Sequence, residues 1–313
     1  MNKFYALCLQ GDIQMAIDYL SSIQPRTEEI KELLQLYQDR FYFANFKNCI
    51  PIDDPWIKSV TEIYYHYFQS VLTGSKSAEN AELELSQQLA QILGEKQFTN
   101  IKEIEKQLER VFQEKGYYFL GGVTPPFRGP YIWRQMETLT FDVEIPFAIK
   151  SVTVNMMSDF ILESWIGFAT FNKKMVGGWA KADGLYCNAK CYENLDGDEF
   201  QISYLKHEAQ HLYDYEHFPV LTSSELEYRA KLVELIYLKD HSTLFKFFDE
   251  AKNDPDFPHP YASYQIIHHL SKTIFDKKYE PNKIVWSETK YQEISSAARA
   301  LLEKSTEIIQ KSV

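Results

Sequence analysis

Apolar residues recur at helical spacing through the first third of the chain, over residues 6–23, 28–46, 54–72, 78–94 and 98–116. The pattern predicts helices there. Asp54-Pro55 reads as the start of one, since proline suits the first helical turn. Gly94 and Gly116 read as stops that can adopt the left-handed cap. No copy recurs at a fixed period, so a repeat array is not expected.

The pattern changes at Gly121. Residues 121–133 are rich in glycine and proline and read as a linker or structured loop. Short runs of β-branched and aromatic residues follow at 138–147, 150–157 and 164–171, and a further candidate strand spans 185–192 after Asp183-Gly184. A small, largely antiparallel sheet is expected over about 138–192. Helical spacing then returns at about 199–217, at 222–240, and in two stretches of the tail, 261–275 and 291–310. Helices, then a sheet, then helices predict an α+β fold rather than alternating β-α units. The expected organisation is a helical N-terminal region, 1–116, and a second domain, 117–313.

Composition narrows the function classes. Of 313 residues 45% are hydrophobic, enough for a sizeable core, and the formal net charge is -11. An acidic surface argues against nucleic acid or anionic membranes as partners. The N-terminus is too polar for a signal peptide. The most apolar central stretch, 160–171, carries Glu163 and falls short of a membrane span. A cytoplasmic protein is expected, with Cys8, Cys49, Cys187 and Cys191 as free thiols. Cys187 and Cys191 lack the second cysteine pair of a structural zinc site.

One motif carries chemistry: His207-Glu208-Ala209-Gln210-His211. On a helix, residues four apart share a face, so both imidazoles can converge on one Zn²⁺. Glu208, beside the first ligand, is placed to act as general base toward a water activated by the metal. Uncharged flanks and a credible helical face strengthen the reading. Asp214 lies on the same face and is a candidate to orient a ligand imidazole.

These residues resemble the zincins, the zinc metallopeptidases. The resemblance covers about residues 164–240 and implies a small sheet packed on the motif helix, one zinc ion per chain and a peptide or protein substrate. A third protein ligand is then needed. His217, ten residues after His207, is similar to the third histidine of the metzincins. However, Asp214 stands at their turn glycine, and all six methionines precede the motif, so a downstream methionine turn is missing. The gluzincins take a glutamate from the next helix, where the candidates are Glu225 and Glu227. Glu227 has Ala230 three residues on, as their pattern has a small residue, but Lys231 stands where many members have Asp. Both glutamates also fit capping boxes, with Thr222 and Ser224, and they lie about 200° apart on the helix, so only one can face a metal. Glu227 is preferred on the resemblance, with Glu225 and His217 as alternatives.

The resemblance further implies an edge strand before the motif helix that binds extended peptide, a place held in sequence by residues 185–192. It also implies an oxyanion donor, for which His259, Tyr261 and Tyr264 are candidates. The N-terminal helices fall outside it and are candidates for binding a protein partner. The function expected is zinc-dependent peptide hydrolysis. The rival is a zincin-like zinc-binding module whose cleavage is vestigial or restricted to one partner.

Overall fold

The computed structural model describes residues 1–43, 50, 52–95, 100–181, 184–192 and 194–312. Cys49, Asp183 and the expected helical residues 44–46 and 98–99 lie outside them. The chain is a mixed α+β protein with a mainly antiparallel sheet. It forms two compact units, one of residues 1–136 and 157–176, the other of residues 137–156 and 177–313.

The first unit opens with α1 (Asn2–Leu9), α2 (Ile13–Ser22), α3 (Glu28–Tyr42), α4 (Pro55–Leu72), α5 (Ala78–Ile92) and α6 (Ile101–Glu114). Local chemistry explains most of their starts. Asp12, Thr27, Asp54, Ser77 and Asn100 each accept a hydrogen bond from a backbone N–H of the first turn, and Pro55 occupies the opening position of α4. Gly94 and Gly116 follow α5 and α6 with φ of +74° and +78°, which a side chain would strain. Phe4, Leu20, Tyr37, Tyr64, Phe68, Leu89 and Phe112 bury the inward faces.

Strands follow: β1 (Tyr118–Leu120), β2 (Val123–Thr124), β3 (Phe127–Arg128), β4 (Tyr131–Ile145) and β5 (Ala148–Glu163). The sheet thus starts well before residue 138. The glycine- and proline-rich stretch folds into the small β2–β3 hairpin and the start of β4. Residues 164–171, expected as a strand, instead form α7 (Ser164–Thr170). Nearly every side of that segment is buried, including Trp165, Phe168 and Ala169. A run buried all round has no polar face, so periodicity does not separate strand from helix.

Next come β6 (Gly178–Lys181) and β7 (Gly184–Asn188). The strand order is β1-β4-β5-β7-β6. This corrects the expected edge strand, because β7 lies between β5 and β6, and the edges of the sheet are β1 and β6. The run 185–192 also leaves the strand early, turning into a 3₁₀ segment at Ala189–Cys191.

The motif helix then builds in three pieces: α8 (Asp198–Phe200), a π-helical turn at Gln201–Lys206, and α9 (His207–His217). Five helices complete the second unit: α10 (Ser223–Tyr237), α11 (Ser242–Glu250), α12 (Pro258–Phe275), α13 (Lys283–Glu288) and α14 (Tyr291–Ser312). Its core gathers Val154, Leu185, Phe200, Leu205, Ala209, Leu232, Leu235, Ile266, Trp286 and Leu302. Among the described residues, no helix is long and apolar enough to cross a membrane.

Candidate metal centre

His207 and His211 lie one turn apart on α9, and both are buried. Their rings meet edge to face at 4.7 Å, with the two Nε2 atoms 3.1 Å apart. Glu227 enters from α10. Its Oε2 lies 3.5 Å from His207 Nε2 and its Oε1 lies 3.4 Å from His211 Nε2. Among the described residues these three are the group whose donor atoms gather closely enough to hold one metal ion.

The spacing suits a small divalent cation. A tetrahedral zinc with bonds of about 2.0–2.1 Å has ligand atoms roughly 3.3–3.4 Å apart. The donor set of two imidazoles and one carboxylate is that of a catalytic zinc site with one position left open. The surrounding hydrogen bonds agree with this fit. Glu234 Oε1 lies 2.8 Å from His207 Nδ1, which fixes the proton there and leaves Nε2 free as a donor to a metal. Glu227 Oε2 is buried without a hydrogen-bond partner. His259 Nδ1 comes within 2.8 Å of that oxygen, close enough for charge pairing but not aligned as a hydrogen bond.

Electrostatics point the same way. Burial opposes a charge on His207, yet the Glu227 and Glu234 carboxylates outweigh it and push its pKa up to about 10. Burial would raise Glu227, but His207, His211 and His259 hold it well below the usual carboxylate range. Without an ion the cluster therefore holds a proton among its donors, where a cation would neutralise the same carboxylate.

Helix α10 separates the two candidate glutamates. Thr222 and Glu225 form a complete capping box, with Glu225 Oε2 accepting from Thr222 N at 2.8 Å and from its hydroxyl at 2.7 Å. Glu225 is thereby engaged at the helix start, and Glu227 reaches the imidazoles. Ala230, fully buried, lies on the same side of α10. Lys231 turns to Glu250 at 2.5 Å, with Ser263 bonded to the same carboxylate oxygen.

The remaining sequence candidates are placed differently. His217 sits at the end of α9, donates from Nδ1 to the Tyr213 carbonyl at 2.8 Å and stacks on the Tyr213 ring. The chain stays helical through Asp214, so it makes no turn that would return His217 to the imidazoles. Asp214 itself bonds neither ligand. Its carboxylate accepts from Arg229 Nε and Nη2, each at 2.9 Å, and from Gln210 Nε2 at 2.9 Å. Arg229 and Asp214 are both fully buried and tie α9 to α10. The imidazole-orienting role falls to Glu234, which sequence reasoning missed. Its signal was its spacing, seven residues and two full turns after Glu227 on the same face.

Glu208, partly buried, stands outside the three-donor group. Its charge helps raise the pKa of Tyr192, Tyr204 and Tyr215, each lifted first by burial. Tyr215, 54% exposed, also packs beside His211 at 6.3 Å. His259 and Tyr261 begin α12, and Tyr264 stacks on Tyr279 at 5.5 Å. Cys187 is buried and Cys191 partly so, both as free thiols. No family model, curated protein or solved structure matches the chain.

Proposed function

We propose that the protein is a cytoplasmic, zinc-dependent peptide hydrolase of the zincin type, with a gluzincin-like ligand set of His207, His211 and Glu227. The observation that carries this reading is the convergence of two Nε2 atoms and one carboxylate at 3.1–3.5 Å. Bound there, zinc would acidify a water and polarise a peptide carbonyl. Glu208, next to the first ligand, accepts the proton of the attacking water and returns it to the departing amine. Glu234 holds His207 in the tautomer that presents Nε2. His259 brings Nδ1 within 2.8 Å of Glu227 Oε2 and, with Tyr261, belongs to the helix start from which an oxyanion donor would come.

The test is zinc content together with cleavage of an unfolded casein substrate. One zinc per chain is expected, retained in Glu208→Gln with turnover abolished, and lost in His211→Ala. Zinc persisting in His211→Ala would overturn the ligand assignment. Full zinc occupancy with no cleavage of any peptide pool would replace the enzyme by a zinc-bound binding module.

A further inference from the structure

A cavity of about 320 Å³ opens in the second unit where the α9–α10 turn, α10, α12 and α14 meet. Glu225 and Tyr228 bring α10 to it. By helical geometry Glu225 lies roughly opposite Glu227 and Glu234, and Tyr228 lies about 100–120° round from them, so the cavity opens on a different face of α10 from the metal centre.

Its walls have two characters. Leu221, Leu301, Ile308 and Ile309 make an aliphatic lining, and Ile308 is left 56% exposed. An isoleucine exposed at a cavity mouth is apolar surface that a ligand could cover. The polar part is Tyr228, whose hydroxyl lies 2.9 Å from His269 Nδ1, with Lys304 beside them. Burial first, then His268 and Lys304, lower the His269 pKa, so the imidazole stays neutral near pH 7.

The charges in the wall are not equivalent. Glu225 is satisfied by its capping box at the positive end of α10. Lys304 makes no ion pair among the described residues. The charge left for a ligand to meet is therefore positive. We propose that this cavity binds a small carboxylic acid with an apolar tail, its carboxylate beside Lys304 and its tail among the four aliphatic side chains. Size sets the class. At roughly 30 Å³ per water-sized group, the volume holds on the order of ten non-hydrogen atoms. That is the size of an eight-carbon fatty acid, and too small for a folded partner.

The test is a methyl-labelled NMR titration of the full chain with octanoate. Saturable shifts are expected at the Leu301, Ile308 and Ile309 methyls. Lys304→Met, a change at an exposed position, is expected to weaken binding about tenfold, as for a lost hydrogen bond to a charged group. Octanol, with the same tail and no charge, should be weaker by a similar factor. A thermal melt checks that the variant is folded. The proposal fails if those methyls show no saturable shift. It also fails if octanol, or the folded Lys304→Met protein, matches octanoate on the wild type.

Discussion

Replacing Asp214 with alanine removes the carboxylate that neutralises Arg229 in a place from which water is excluded. Both side chains have zero exposure, and two N–H groups of the guanidinium bond the carboxylate at 2.9 Å. After the change Arg229 keeps two hydroxyl acceptors, Ser305 at 3.2 Å and Thr306 at 3.0 Å, and no counter-charge. Breaking a buried pair from one side costs about 3–5 kcal/mol. At roughly 2–4 °C per kcal/mol for a unit of this size, melting should fall by about 6–20 °C. The assay is thermal and urea unfolding with metal stripped by chelator, so that ligand linkage does not mask the loss. Asp214→Leu combined with Arg229→Met should recover most of the stability, because no charge is left stranded. A single-variant loss below about 1 kcal/mol would refute the reasoning, since an uncompensated buried guanidinium costs more than that. So would a double variant as unstable as the sum of its parts.

Other expectations follow from the same geometry. Glu227→Ala should abolish stoichiometric zinc, whereas Glu225→Ala should keep it and lose about 1 kcal/mol of stability with its cap, read by metal analysis and denaturation. Glu234→Gln should weaken zinc about 10–100-fold by competitive chelator titration without removing a ligand, and unchanged affinity would exclude Glu234 as the group orienting His207. In metal-free protein His207 has a pKa of about 10 against 6.5 for the unencumbered side chain. Its stabilising contribution is complete below about pH 6.5 and is lost as pH rises through about 10. Urea unfolding from pH 6 to 10 should therefore show a steeper decline for wild type than for His207→Gln, and parallel profiles would count against it.

Much of this was written in local chemistry. The caps at Asp54 and Asn100, the glycine stops at Gly94 and Gly116, and the one-turn spacing of His207 and His211 depend on neighbours in sequence. The choice between Glu225 and Glu227 did not. Both fit a capping box, and only the observed hydrogen bonds of Thr222 show which one the cap engages. Glu234 looked like any helix acid, because its value lies in a partner 27 residues away. Residues 164–171 carry no strand-or-helix signal, because burial on all sides erases the period that distinguishes the two. The edge position was unreadable for a similar reason: strand order is a non-local property, and β6, a four-residue strand that the sequence pattern does not mark, takes the edge beside β7.

The π-helical turn at Gln201–Lys206 has a consequence for how the chain tolerates length changes. Such a turn accommodates one more residue than the α-helix around it. Deleting a single residue between 201 and 206 would let the segment relax into ordinary α geometry. The imidazoles would then swing about 100° around the helix axis, away from Glu227, while every donor stayed in the sequence. In this stretch the count of residues, more than their identity, aims the two histidines.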